Sequence, residues 1–413
     1  MGGGKSTSAI TYMNEHPDDK FIYITPYLSE AARIKAGCPK LHFIEPSDKL
    51  REYNFKKALH TQALIDQGRN IATTHQAFKG YEPSMLDRIR EQEYTLIIDE
   101  NVDILESFEY SEFDLQMAVE AGYIKNNDGL YTVTDKPYKG RALCELFRLL
   151  RSRELIQIQD GKNGSFFYWA LPPSLITSFK EVFVLTYLFH GQSIRYFFDI
   201  YDIPYDYIGI KKFGDNQFRF GELPGYVPEY VKHLKDKLHV YSDERMNEVG
   251  ANFHALSMNW YAKNDEQVEL LKRNVSNFFN NINRDIPAQN RLWGGYKTDY
   301  NAVRGKGYSK AFLTFNAKAT NEYRNRNCLV YITNLFMNVN EKKFYLRHGI
   351  DVDEDTYALS IMVQWIWRSA IRDGQEVCLY IPSSRMRNLL VNWMDSLAGG
   401  DTDEQELQEV PLR

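Results

Sequence analysis

The sequence predicts an α/β protein of two parallel-sheet domains, the first interrupted by a helix-plus-hairpin module. Two observations predict it. Short runs of buried-strand character alternate with amphipathic helices over residues 1–102 and 181–222, and the alternation returns over residues 236–397. Between 103 and 180 the pattern changes to helices and hairpins with Asn and Gly at the turns.

Taken in order, Ser6 to Glu15 reads as a helix closed by Pro17. Phe21-Ile22-Tyr23-Ile24-Thr25 is a short buried strand closed by Pro26. A helix from Ser29 to Ala36, a short strand at His42-Phe43-Ile44, a helix from Phe55 to Gln67 and a strand from Asn70 to Thr73 follow. Tyr94 to Ile98 is the most apolar short run of this part, and Asp99-Glu100 comes directly after it. In the module, Leu115 to Ala121 and Arg141 to Arg153 read as helices. One hairpin turns at Asn127-Asp128-Gly129 and a second near residues 160–164. Val182 to Thr186 returns to a buried strand. Residues 203–235 carry Pro204, Pro224 and Pro228 with little periodicity and read as a linker. Beyond it, Leu238 to Tyr241, Ala311 to Phe315, Cys328 to Ile332 and Val377 to Ile381 read as strands. Glu266 to Asn281, Asp355 to Arg372 and Ser384 to Ser396 read as helices. Residues 398–413 read as a flexible acidic tail.

The 413 residues are 43% hydrophobic and 25% charged, the balance of a globular protein with a real core. The net charge of −5 gives no overall attraction to nucleic acid, so any such site must be a local patch. The 28 Tyr, 24 Phe and 6 Trp fill a core first and can stack on unpaired bases second. Cys38, Cys144, Cys328 and Cys378 lack Cys-x-x-Cys or Cys/His ligand spacing, which argues against a zinc site or a disulfide framework. The start shows no charged-then-apolar signal pattern, and no apolar run approaches the ~18 residues of a membrane span. The expected compartment is the cytoplasm, that of the host if the chain is phage-encoded, with no membrane partner.

Three constellations carry chemistry. Gly2-Gly3-Gly4-Lys5-Ser6-Thr7 is the closing half of a phosphate-binding loop. Glycines let backbone N–H groups converge on phosphate oxygens, Lys5 would reach the β- and γ-phosphates of ATP, and the Ser6 hydroxyl would hold Mg²⁺. The first glycine of the full pattern and its feeding strand would lie before Met1, so the expectation is a clipped loop in a chain that starts late. The second constellation is Asp99-Glu100 at the end of a buried strand, where an open α/β sheet places its ligand site. Asp99 would bind Mg²⁺ through water, and Glu100 would deprotonate the attacking water. A strand-end Asp-Glu also serves as a simple turn cap; the upstream Gly-Lys-Ser favours the catalytic reading. The third is the Asp355–Arg372 helix, apolar around most of its girth, with Gln364, Arg368 and Arg372 in one stripe at i, i+4 and i+8. Buried arginines need an anion. A structural carboxylate would satisfy them, and so would a nucleotide phosphate, with Gln364 beside it.

These motifs, in this order, resemble those of a superfamily 2 helicase or translocase, and the resemblance spans nearly the whole chain. Thr25-Pro26 resembles motif Ia. Thr73-Thr74-His75-Gln76 resembles the Thr-His segment before the Walker B strand, and Leu185-Thr186-Tyr187 stands in the place of motif III. The stretches 315–323 and 364–372 are similar to those of phage-encoded helicase-like ATPases of the DEAD/DEAH-like kind. The sequence departs in Asp-Glu-Asn-Val in place of a DEAD or DEAH box, in the wider arginine spacing, and in lacking the first strand and an adenine-recognition motif. The resemblance implies a P-loop NTPase with two RecA-like domains that hydrolyses ATP with Mg²⁺ in the cleft between them, in phage DNA replication or recombination. It implies Glu100, Gln364, Arg368 and Arg372 as catalytic residues and Thr186 as the residue coupling hydrolysis to movement.

Between Asn301 and Arg326, Arg304, Lys306, Lys310, Lys318, Arg324 and Arg326 face the single acid Glu322, with Tyr308, Phe312, Phe315 and Tyr323 interleaved. This is either a solvated edge with core aromatics or part of a single-strand groove. In a helicase-like chain, Arg304, Lys306, Lys318, Tyr323 and Arg324 become the nucleic-acid contacts, with Thr74 and His75. The expected partner is single-stranded or forked nucleic acid, DNA before RNA. The 103–180 module is a strand wedge, a docking site for a replication protein, or decoration. Two other readings remain. One is a packaging ATPase like the large terminases, whose nuclease carboxylates would have to come from Asp351, Asp353, Glu354 and Asp355. The other is a nucleic-acid-binding protein whose ATPase has decayed.

Overall fold

The computed structural model of the protein describes residues 4–108, 111–160, 164–317, 322–399 and 410–412. Gly2, Gly3 and Lys318, and the turn at 161–163, lie outside the described residues. The strands among these residues are β1 (Phe21–Thr25), β2 (Ile71–Thr74), β3 (Thr95–Asp99), β4 (Leu105–Ser107), β5 (Ile124–Asn127), β6 (Leu130–Val133), β7 (Glu154–Asp160), β8 (Gly164–Ala170), β9 (Glu181–Leu185), β10 (Asp206–Gly214), β11 (Gln217–Gly221), β12 (Leu238–Tyr241), β13 (Arg291–Gly295), β14 (Phe312–Thr314), β15 (Cys328–Tyr331), β16 (Val377–Tyr380) and β17 (Val410–Leu412).

They form three sheets. The first runs β11-β10-β17-β9-β3-β1-β2. Its β9, β3, β1 and β2 are parallel, and the other three strands join antiparallel. β1 reads Phe-Ile-Tyr-Ile-Thr and is buried at every position, as a strand covered by helices on both faces must be. The second sheet, β12-β16-β15-β13-β14, is parallel throughout. The third, β4-β8-β7-β6-β5, is antiparallel and belongs to the module. The protein is thus a mixed α/β fold with parallel sheets.

Several expectations change. Residues 203–235 are not simply a linker, because β10 and β11 form a hairpin that extends the first sheet. Adjacent exposed Lys211 and Lys212 break the alternation that would have marked β10. His42-Phe43-Ile44 makes only one bridge, Ile44 to Ile71, because His42 turns left-handed at φ 49°. The tail reading of 398–413 fails at its end, where Val410–Leu412 pairs antiparallel with β10 and touches β9. β13 went unread because its two glycines and an arginine do not look like a strand. Gly294 is needed there because a Cβ would lie 2.6 Å from the Trp365 ring.

The expected Asp355–Arg372 helix is shorter. It runs Glu354–Ile366, its first turn capped by Asp353 Oδ1, which accepts from the N–H groups of Asp355 and Thr356 at 3.1 and 2.9 Å. Ser369 breaks it. Its hydroxyl donates to the Ile366 carbonyl at 2.6 Å and accepts from the Ile371 N–H at 3.4 Å, replacing helical partners with its own. A 3-10 turn, Ala370–Asp373, follows. The i, i+4, i+8 stripe is therefore interrupted, although its three residues stay together.

The module is held by a charge bridge. Glu106, on β4, accepts from Lys79 at 2.6 Å and from Arg153 of the module, and both cations are buried. Ile158 and Tyr168 of the module also pack with Phe344, Tyr345 and Val352 of the second domain. Burial alone would raise the Glu106 carboxyl, but Lys79 and Arg153 together hold it below its ordinary value. A lowered native pKa contributes stability above the unfolded value of roughly 4.3, lost as pH falls further. Glu106→Ala removes the carboxylate that both buried cations share, leaving Lys79 with Asp103 at 3.9 Å, and is expected to destabilise by about 3–5 kcal/mol, read by urea denaturation at neutral pH. A difference from wild type that does not shrink in acid would contradict this.

Candidate functional site

The first sheet sets the site. β1, β3 and β9 end side by side, with Asp99 opposite Leu185 across β3 and β9. The Lys5–Glu15 helix begins above these ends, and Gly4 enters it left-handed at φ 82°. A cavity of about 450 Å³ opens there, closed from the far side by the second domain. Gly4, Lys5, Ser6, Thr7, Asp99, Glu100 and Thr186 line the near wall, and Gln364, Arg368 and Arg372 the far wall. Residues separated by most of the chain thus meet in one cleft, at the carboxyl ends of the strands.

The carboxylates are the electrostatic centre. Ser6 Oγ donates to Asp99 Oδ1 and Oδ2 at 3.4 and 3.5 Å, and Tyr23 Oη donates to Oδ2 at 2.8 Å. Desolvation and the adjacent Glu100 push the Asp99 carboxyl up to about 6, while the Tyr23 hydrogen bond offsets part of this. Glu100 adopts φ 64°, a conformation that a side chain with a Cβ rarely takes. Its N–H donates to the Leu185 carbonyl at 3.3 Å, which ties the strained residue to β9. Its Oε1 accepts from Arg368 Nη2 at 2.9 Å, an ion pair that crosses the cleft. Burial and the neighbouring Arg324, Arg368 and Arg33 lower the Arg372 guanidinium. Lys5 Nζ lies 5.1 Å from the Tyr187 ring centroid. Thr186 lines the cavity with its buried hydroxyl lacking a hydrogen-bond partner.

Other expected site residues lie elsewhere. The Thr74 hydroxyl caps the short His75–Phe78 helix, accepting from the Ala77 N–H. His75 Nε2 donates to the Asp99 carbonyl at 2.9 Å, which supports the end of β3 from behind. The basic segment 301–326 is split. Arg304 and Lys306 are exposed, the latter beside Asn280, which donates to the Lys306 carbonyl. Tyr308 is core and Phe312 packs against Trp293. Phe315 and Asn316 face a second cavity, and Tyr323 is partly buried against the second-domain core. Arg324 lines the same cleft and pairs with Asp373 there. Asp353, Glu354 and Asp355 do not gather into a metal cluster: Asp353 caps its helix, Glu354 pairs with Lys342 and Asp355 with Arg385. No group of three or more metal-ligating side chains occurs among the described residues.

Sequence reasoning missed Arg33, Tyr23, Phe218 and Tyr226. Arg33 and Tyr23 lie on elements read as plain helix and core strand, and the other two fall in the segment read as linker. It also missed the second cavity, about 950 Å³, which shares Glu100 and Gln364 with the first. Asp103, Glu341 and Glu354 stand against Lys342 in its wall.

Fold and cleft together define a mixed α/β protein with a charged cleft between the sheets of its two domains. Residues 232–394 match the family described as the YonV C-terminal Rossmann-like domain. Over 411 residues the chain is 36% identical to the SPbeta prophage-derived uncharacterized protein YonV of Bacillus subtilis (strain 168), across 96% of this chain and 97% of that relative. The chain belongs to the YonV family, and its second domain is Rossmann-like. No solved structure matches it. No helix among the described residues is long and apolar enough to cross a membrane.

Asp99 yields a stability prediction. Its native carboxyl keeps a proton up to about 6, against roughly 3.9 when unfolded, so folding gains as pH falls between those values and loses as pH rises. Asp99→Asn removes the desolvated charge. Differential scanning calorimetry of the nucleotide-free protein near neutral pH is expected to show a melting point a few degrees above wild type. A lower melting point would mean that the carboxylate stabilises the fold.

Proposed function

We propose that this protein is an ATP-driven motor of the P-loop class, with two RecA-like domains, acting as a helicase or translocase on single-stranded or forked nucleic acid, DNA before RNA. The observation that carries the reading is the convergence of Ser6 on Asp99 and of Arg368 on Glu100 in one cleft. A phosphate-loop hydroxyl, a strand-end carboxylate pair and an arginine from the opposite domain form the set that phosphoryl transfer requires.

The chain's own residues account for the steps. Lys5 and the backbone N–H groups that open its helix hold the β- and γ-phosphates. The Ser6 hydroxyl and the Asp99 carboxylate, 3.4 Å apart, suit a Mg²⁺ ion that keeps most of its water, and burial beside Glu100 raises the Asp99 carboxyl, which a bound cation would offset. Mg²⁺ there would neutralise the phosphate oxygens. A γ-phosphate competes with Glu100 for Arg368. Once released, the Glu100 carboxylate takes a proton from a water oriented with Gln364. That water attacks the γ-phosphorus, the bond to the β-phosphate oxygen breaks, and ADP and phosphate leave. Arg368 and Arg372 balance the charge that develops. The Thr186 hydroxyl senses the change at the end of β9 and passes it to the second domain through Tyr187 and Leu188, which pack into that domain's core. The 103–180 module, bridged to both domains, serves as a docking site for a replication partner.

The test is phosphate release from Mg-ATP, with and without a single-stranded DNA oligonucleotide. Wild type is expected to turn over and to be stimulated by the strand. Glu100→Gln is expected to keep nucleotide binding and lose turnover by roughly 10²- to 10⁴-fold. Wild-type turnover indifferent to DNA and RNA strands would contradict the motor; a Glu100→Gln variant that hydrolyses normally would contradict the assigned base.

A further inference from the structure

The cleft has two kinds of lining. Lys5, Asp99, Glu100, Arg368 and Arg372 are charged, and the β10–β11 hairpin and the residues after it add Phe218, Tyr226, Val227, Pro228 and Val231, with Asn216 as a polar neighbour. Phe218 is fixed. Gly4 lies flat against its ring, and a Cβ on residue 4 would come 2.4 Å from the ring's Cγ. Tyr226 is only half-buried. Its centroid lies 5.7 Å from that of Phe218, with the rings inclined by 49°. Lys212 Nζ lies 5.4 Å from the Tyr226 centroid. The entrance to the phosphate-loop helix is thus in direct contact with an aromatic corner.

We propose that Tyr226 and Phe218 form a nucleobase subsite that holds a purine by stacking and reads its edge with little more than the Asn216 side chain, so that the protein uses adenine and guanine nucleotides alike. The proposal rests on the phosphate-site reading given above, because phosphates held at Lys5 leave the rest of the nucleotide within reach of the aromatic corner that touches Gly4. Stacking is tolerant of base identity, since every base has a π-face. Strong discrimination comes instead from buried hydrogen-bonding groups left unpaired by the wrong ligand. A corner of two aromatic rings, two valines and a proline offers few such groups. The hairpin therefore does the work of a dedicated adenine-recognition motif, without its selectivity.

Equilibrium binding with Mg²⁺ tests this, using ATP, GTP and inorganic tripolyphosphate as probes of wild type, Tyr226→Ala and Tyr226→Phe. Wild type is expected to bind ATP and GTP within about threefold of each other. Tyr226→Ala is expected to weaken both by roughly 10- to 100-fold while leaving tripolyphosphate unchanged, and Tyr226→Phe to restore nucleotide binding. Thermal melts of each variant confirm that it is folded. Unchanged nucleotide affinity in folded Tyr226→Ala, an equal loss for tripolyphosphate, or a roughly 100-fold preference for one purine overturns the subsite and leaves the phosphate site standing. Failure of wild type to bind either tripolyphosphate or nucleotide overturns the phosphate site, and the subsite with it.

Discussion

Two adjacent carboxylates at the end of a buried strand are the constraint on which the rest of this structure depends. Asp99 is desolvated and Glu100 stands next to it in a strained conformation. Such a pair persists only where positive charge is supplied. Arg368 of the second domain reaches across to Glu100, and Lys5 and Arg33 of the first line the same cleft. Ser6 hydrogen-bonds both Asp99 oxygens and Tyr23 one of them, and Arg33 adds a positive charge nearby. The Arg368–Glu100 pair joins the second domain to the first across the cleft.

The apolar contacts around this pair make it a hinge point rather than an isolated bridge. Tyr187 and Leu188 follow β9 directly and sit in the second domain's core cluster. Gln192 donates to Ser360 Oγ at 3.0 Å on the Glu354–Ile366 helix that leads to Arg368. A change at the strand ends is thus connected to the arginine segment both through the cleft and around its side. The module adds a third connection through its contacts with the second domain. Glu100 and Gln364 also face the larger second cavity. The acid-rich wall of that cavity does not suit a phosphodiester backbone, and cationic Arg304 and Lys306 are exposed on the segment between Asn301 and Arg326.

Much of this was legible in the sequence because the relevant patterns are local. Phe21 to Thr25, Thr95 to Asp99 and Cys328 to Tyr331 are continuous apolar runs with few alternatives to a buried strand. The turn at Asn127-Asp128-Gly129 follows from two residues that tolerate positive φ. The convergence of Lys5, Ser6, Asp99, Glu100, Gln364, Arg368 and Arg372 on one cleft was readable from motif order, since a parallel sheet brings successive strand ends to one edge. Other features depend on tertiary packing. β13 is a strand because Gly294 must admit Trp365, which its own residues do not announce. The helix break at Ser369 depends on which way one hydroxyl turns. The aromatic residues between Asn301 and Arg326 read equally as core or as a stacking surface; Tyr308 is core, and Phe312 packs partly buried against it. The hairpin that carries Phe218 and Tyr226 hid behind prolines and adjacent lysines.

The central claim is that a magnesium-bound nucleoside triphosphate occupies this cleft and takes over the charge balance now kept by Arg368 and Glu100. Isothermal titration of the wild-type chain with a non-hydrolysable ATP analogue, once with Mg²⁺ and once in EDTA, tests it most directly. The account predicts one site per chain, weakened by roughly tenfold or more without Mg²⁺. No binding in either condition, or binding indifferent to Mg²⁺, would contradict it.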